Sequence, residues 1–219
     1  EPPVELVGPV CSWREDRRDA MRIAAILKIP FITLDLSQEY KQLVVDEMIA
    51  GYQAGITPNP DVLCNQKIKF GLFFDFARKS GADYIATGHY ARTQAGRLFR
   101  GVDPKKDQSY WLWTATGEIL AQTLLPLGEL IKTDVRALAK SFNLPTAEKP
   151  DSQGLCFIGK LNVRDFLGQF IEMKPGEVKD QAGETLGRHD GVNFYTIGQR
   201  HGFEITDKNS PGPHYVVGK

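Results

Sequence analysis

The sequence predicts an α/β fold: an open, mainly parallel sheet with helical crossovers, followed by a small β-rich module. Three observations carry this. Short β-like runs at 31–35 and 84–87 alternate with segments whose apolar residues recur at i, i+3, i+4 and i+7. The second run leads straight into Gly88-His89, and ligands of open α/β sheets bind outside the C-terminal ends of the strands. Past Lys174, short β-like stretches are spaced by Gly183, Gly187, Gly191, Gly198 and Gly202. The expected division is 1–159 for the α/β domain and 160–219 for the β-rich one.

Composition narrows the function classes. The chain has 219 residues, 42% of them hydrophobic and 25% charged, which is ordinary for a folded protein. Lys+Arg and Asp+Glu are both 27, so any nucleic-acid binding must come from a local patch. No apolar run is long enough to span a bilayer, so no membrane partner is expected. Cys11, Cys64 and Cys156 are too few and too scattered for a disulfide framework. None lies in a Cys-x-x-Cys pair, so no metal site is expected, and a reduced, cytoplasmic setting follows. Glu1-Pro2-Pro3 and the strand-like His214–Lys219 read as ends cut from a longer protein.

In order along the chain, Ala20, Ile23, Ala24 and Leu27 give a first helix over 14–28, ended by Pro30. The run 31–35 is expected to pair in parallel with 83–87, the intervening helices making the crossover. Ser37 caps a second helix with Tyr40, Leu43, Val44 and Ala50 on one side and Gly55 as its stop. A third helix starts at Pro60 and carries Phe70, Phe73, Phe74 and Ala77 as a stripe, ending near Gly81. Residues 91–102 read as a hairpin turning at Gln94-Ala95-Gly96. Thr133 caps a helix whose Val135, Leu138, Ala139 and Phe142 read as core packing only. Residues 162–171 read as a short helix.

Four stretches bear chemistry. In Thr57-Pro58-Asn59-Pro60-Asp61-Val62-Leu63-Cys64-Asn65 two prolines stiffen a loop, Asn59 suits the N-cap and Pro60 the first helical position. Cys64 then falls near the positive end of the helix dipole, which favours a thiolate, and Asp61 three residues earlier shares its face. The plain alternative is a small buried apolar cysteine beside a first-turn capping charge. His89, at a strand end, reads equally as a site residue or a packed imidazole. In Lys105-Lys106-Asp107-Gln108-Ser109-Tyr110-Trp111-Leu112-Trp113, two lysines, an amide and aromatics suit phosphates and stacked bases. The alternative is a solvated turn before a short helix that buries Tyr110 and Trp113. Finally, Cys156 lies between Gly154 and Gly159, a loop able to move a thiol.

Together the segments 57–65, 86–92, 106–110, 149–159 and Tyr195-Thr196-Ile197-Gly198-Gln199-Arg200 resemble the tRNA-specific 2-thiouridylase family, in its order and at plausible spacing. The resemblance implies a Rossmann-like fold of the adenine-nucleotide alpha-hydrolase type, truncated at its N-terminal end, then a central tRNA-binding β-rich domain with an incomplete C-terminus. It implies ATP, with Mg2+ as counterion, and 2-thiolation of the wobble uridine of tRNA. It implies a protein that donates sulfur as a persulfide, and a monomer. By match, Cys156 corresponds to the persulfide carrier and Cys64 to the second catalytic thiol beside Asp61. Asn59, Pro60 and Asp61 correspond to residues facing the target base. Gly88 corresponds to a position close to ATP, and His89, Lys106, Asp107 and Gln108 to positions contacting tRNA. Cys64 and Cys156 are then expected to face one cavity, with Cys11 elsewhere. Departures are the absent Ser-Gly-Gly-x-Asp-Ser phosphate loop, the absent C-terminal barrel, Ile56 in place of Arg and Phe203 in place of Leu; an inactive fragment is expected. Two other classes remain open on the residues alone: a cysteine-dependent hydrolase using Cys64 with His89, and a non-catalytic RNA-binding module.

Overall fold

The computed structural model describes residues 13–151, 163–207 and 212–219. In chain order the helices are α1 (Trp13–Leu27), α2 (Ser37–Tyr40), α3 (Glu47–Gln53), α4 (Pro60–Leu63) and α5 (Phe74–Lys79). The strands β1 (Ile85–Ala86), β2 (Ala91–Gln94) and β3 (Arg97–Arg100) follow, then α6 (Gly117–Ala121), β4 (Thr123–Leu124) and α7 (Lys132–Ser141). The chain closes with α8 (Val163–Leu167), β5 (Gly176–Lys179), β6 (Thr185–His189) and β7 (Glu204–Ile205). Contacts divide it into two compact units, 1–44 with 60–160, and 45–59 with 161–219.

The first unit has the predicted α/β character, but its parallel pairing differs from expectation. β1 pairs in parallel with β4, Ile85 opposite Thr123 and Ala86 opposite Leu124. Residues 31–35 form no strand, and Phe31, Ile32 and Leu34 are exposed. A strand needs a ladder partner for its N–H and C=O groups, and none of the described strands lies beside this run. Sequence order could not reveal that the crossover from β1 passes through the β2–β3 hairpin and α6 before its partner arrives.

The hairpin forms as predicted, with Gln94 opposite Arg97. Both turn residues, Ala95 and Gly96, have positive φ (48° and 72°), the geometry that matches strand twist. Behind it lies the core: Phe70, Ile85, Ala91, Leu112 and Leu125, with Phe74, Ala77, Leu98 and Ile119 packed around them. Gly128 lets two backbones meet there, since a Cβ would stand 1.9 Å from the Ala91 carbonyl oxygen.

The helix from Pro60 is not uniform. Between α4 and α5, Cys64–Phe73 is π-helical. Widened turns rotate the side-chain phase, so Phe70, Phe74 and Ala77 reach the core while Phe73 turns out to solvent. Two apolar stripes are likewise less covered than predicted. On α1 only Ala24 is buried, and on α7 no residue is, with Leu138 and Phe142 exposed.

In the second unit β5, β6 and β7 make one antiparallel sheet. Asp180 closes the β5–β6 turn by accepting the Ala182 and Glu184 amides, both at 2.9 Å. Phe166, Leu167, Ile171 and Tyr195 are buried, and the Tyr195 hydroxyl donates to the Gly202 carbonyl. Residues 214–219 form no strand, although Val216 exchanges backbone hydrogen bonds with Gly198 and Gln199 (2.7 and 3.0 Å).

Candidate functional site

Pro60 opens α4 as the sequence predicts, with Asp61 in the first turn and half-exposed. Cys64 begins the π-helical section and is fully buried, at 0% exposure. Its sulfur is enclosed by protein in this conformation, so the thiol is rigidly held but shielded from water. Asn59 is exposed. Cys11 and Cys156 lie outside the described residues, and with them the expectation that two thiols share a cavity.

The residue after Cys64 was missed by sequence reading. Asn65 is 2% exposed, its Nδ2 donating weakly to the Trp111 carbonyl (3.5 Å) while its Oδ1 is buried with no partner. A buried amide oxygen without a donor is costly. The only sequence signal was a polar residue at an inward helical position.

Gly88 and His89 follow β1 directly and part company. Gly88 is exposed, and a Cβ there would touch only Leu127, at 3.8 Å. His89 is buried, its Nδ1 2.8 Å from the Thr87 hydroxyl and its ring 5.9 Å from that of Phe70. Burial, with the Lys69 ammonium adding repulsion, lowers the imidazole pKa from 6.5 to about 4, so the ring is neutral. The next residue, Tyr90, exchanges two hydrogen bonds with Gln108: the Tyr90 amide to Gln108 Oε1 (3.0 Å) and the Gln108 amide to the Tyr90 carbonyl (2.9 Å). The Pro60 helix, the end of β1 and the 106–111 turn are thus joined through His89–Phe70, Tyr90–Gln108 and Asn65–Trp111.

Within that turn Asp107 accepts the Gly101 amide (2.9 Å) and the Ser109 hydroxyl (3.0 Å). Asp107 and Gln108 therefore fix the turn, and Lys106 is left projecting. Its ammonium meets Asp151 at 2.8 Å. Lys132, 2.7 Å away, and Arg136, 3.1 Å away, converge on the same carboxylate. Hydrogen bonds from Lys106, then Lys132, hold Asp151 down at a pKa of about 2. Sequence reading also missed Lys132 and Arg136, one turn apart on α7. The alternative that buried Tyr110 and Trp113 does not hold, because they are 58% and 71% exposed.

The second unit contains a cleft of about 300 Å³ lined by Tyr52, Arg164, Leu167, Tyr195, Thr196 and Gln199. Burial raises the Tyr52 pKa above its usual value. Ile56 is exposed. No described helix is long and apolar enough to cross a membrane. No three His, Cys, Asp or Glu among the described residues could hold a metal ion.

The tRNA-specific 2-thiouridylase MnmA of Akkermansia muciniphila is 46% identical over 213 residues, 95% of this chain and 60% of that protein. The protein of the same name from Stenotrophomonas maltophilia is 50% identical over 216 residues, 95% of this chain and 57% of its own. The tRNA-specific 2-thiouridylase MnmA 1 of Geobacillus kaustophilus is 47% identical over 214 residues, 96% and 58% respectively. The chain thus spans well under two thirds of these relatives' length. A family model described as the tRNA methyl transferase PRC-barrel domain matches residues 164–219. The model described as the tRNA methyl transferase HUP domain matches residues 4–160, more than half of the sequence, and the chain accordingly belongs to that family.

Proposed function

We propose that this chain is part of a tRNA-uridine 2-sulfurtransferase that thiolates the wobble uridine through a cysteine persulfide. The observation that carries this is 46–50% identity, over 95% of the chain, to proteins named for 2-thiouridine formation in tRNA. The family description speaks of methyl transfer, whereas the relatives are named for 2-thiouridine formation, and the reading follows the relatives. Cys64 is fixed in a helix one turn from Asp61, and Cys156 sits between glycines in sequence. Residues 1–159 are read as the catalytic part and the β-rich remainder, 160–219, as a tRNA-binding part.

In this reading the terminal sulfur of a Cys156 persulfide, delivered by a donor protein, attacks C2 of the uridine, and the C2–O bond breaks as the activated oxygen leaves. The Cys64 thiolate then attacks the Cys156 sulfur, so a Cys64–Cys156 disulfide forms and the transferred sulfur stays on the base. Asp61, with Asn59 and Pro60, positions the base against the buried thiol. ATP, when bound with Mg2+, supplies the group that makes the uridine oxygen a good leaving group. Gly88 suits its approach, because the backbone there is exposed. His89 is assigned to holding that loop in its neutral form, and Lys106 to the tRNA backbone.

The test uses the full-length protein. Cys156→Ser should abolish uptake of labelled sulfur from a persulfide donor and leave tRNA binding intact. Cys64→Ser should accumulate labelled persulfide and fail to deliver it. Thiolation at the normal rate by the Cys156 variant would overturn the assignment.

A further inference from the structure

Lys106, Lys132 and Arg136 come from two separate parts of the first unit, the turn after β3 and the first turns of α7, yet all three meet on Asp151 at 2.7–3.1 Å. Three cations on one carboxylate leave positive charge in excess. Counting Asp103, which also lies near Lys106, still leaves one charge over. Asp103 is moreover committed elsewhere, its two oxygens accepting the Lys105 and Lys132 amides at 2.9 Å each. A single ion pair would suffice to tie two segments together. Three convergent donors are the arrangement that grips a tetrahedral oxyanion.

A second observation lies beneath the cluster. The Lys132 ammonium stands 5.4 Å from the centre of the Tyr90 ring. Tyr90 is buried, and its hydroxyl has no hydrogen-bond partner. The three cationic side chains themselves remain 27–40% exposed, so a ligand can reach them from solvent. The surroundings suit a polynucleotide better than a small anion. The same turn carries the exposed rings of Tyr110 and Trp113, and the Arg100 side chain beside Asp107 is 88% exposed. Cations that track a backbone next to bare aromatic faces are how proteins hold unpaired RNA.

We infer that Lys106, Lys132 and Arg136 form a seat for a backbone phosphate of the RNA substrate, in which Asp151 is the resident counter-ion of the free protein. The inference rests on the tRNA reading above and adds Lys132, Arg136 and Asp151 to it. An arriving phosphate carries the charge of the carboxylate and more acceptor oxygens, so it competes with Asp151 for the same donors. Neutralising Asp151 should therefore strengthen RNA binding, whereas breaking a merely structural tie should not.

The experiment measures binding of a fluorescently labelled tRNA transcript to the full-length protein between about 50 and 200 mM salt. Asp151→Asn keeps the shape and removes the charge. It should tighten binding roughly three- to tenfold at low salt, and inorganic phosphate should compete less well with the wild type than with the variant. The Lys132→Ala/Arg136→Ala double variant should weaken binding about tenfold or more and lower the salt slope by about one, the loss of one phosphate contact. Arg136→Lys keeps the charge and should fall between, which separates a lost contact from a lost fold. If the wild type binds tRNA and Asp151→Asn binds it equally or more weakly, the cluster is a structural tie and the inference is wrong while the tRNA reading stands. If ATP displaces inorganic phosphate from the cluster and tRNA does not, the seat belongs to a nucleotide and the inference is wrong. If neither wild type nor variants bind tRNA, the tRNA reading has failed and the seat with it.

Discussion

His89 shows how much one residue's setting decides. Its position after β1 is a ligand position, but its ring is buried against Phe70 and held by Thr87. Its folded pKa of about 4 lies below the unfolded value of 6.5. A depressed pKa means that the unfolded chain takes up the proton first. The stability from a neutral His89 is fully present above about pH 6.5 and is lost as pH falls toward 4. The gap corresponds to at most about 3 kcal/mol. In His89→Gln, which can keep a bond to Thr87, the decline of the urea midpoint between pH 6.5 and 4 should be visibly shallower than in the wild type. Parallel curves would mean that the imidazole is not desolvated as described. Cys64 carries the same lesson. The sequence pattern of proline, acid and thiol located it correctly at a helix start, and its full burial is what the plain alternative of a small buried cysteine expected. The Asp151 cluster was legible only in part: Lys106 and Asp151 fall in stretches the sequence singled out, whereas Lys132 and Arg136 sit in unremarkable contexts and join them only by folding.

Among elements, helices were the most legible and their ends the most regular. α1, α3, α5 and α7 all close in one way, through Lys28, Gly55, Gly81 and Asn143 at positive φ (54°, 76°, 88° and 52°). In each, the next amide reaches back to a carbonyl five residues earlier: Ile29 to Ala24, Ile56 to Gly51, Ala82 to Ala77 and Leu144 to Ala139, at 2.9–3.0 Å. Gly55 and Gly81 were visible as stops because glycine is the usual solution. Lys28 was not, since a lysine gives no such signal and Pro30 drew attention instead. A β-carbon in that region costs roughly 1–2 kcal/mol, partly offset by the looser unfolded chain that glycine brings. Lys28→Gly should raise the urea midpoint by the equivalent of about 0.5–1 kcal/mol; a lower midpoint would show that the lysine stem makes contacts worth more than the strain. The hairpin was legible through its turn, whereas the β1–β4 pair was not, because two-residue strands leave no periodicity. The π-helical section was equally hidden, its sequence being an ordinary helical stripe whose phase shifts only once the chain is folded.

For the whole molecule, two units of different character were legible from the change of pattern past Lys174, while the grouping of 45–59 with the later residues was not, because chain order says nothing of it. One feature of the first unit bears on how the isolated chain behaves in a tube. Ile26, Leu27, Ile29, Phe31, Ile32 and Leu34 are all exposed within one short stretch, and its β-like part makes no ladder. Backbone groups that join no ladder among the described residues, flanked by β-branched and aromatic side chains, are a template for strands of other molecules. Shelf life should therefore depend on concentration: light scattering from a stored solution should rise with protein concentration, and the hydrophobic dye ANS should fluoresce in its presence. Ile32→Lys, at a position 73% exposed, places a charge on that template and should suppress the scattering without moving the urea midpoint. Equal turbidity in variant and wild type would locate the sticky surface elsewhere, with the bare Leu138 and Phe142 of α7 the next place to put a lysine.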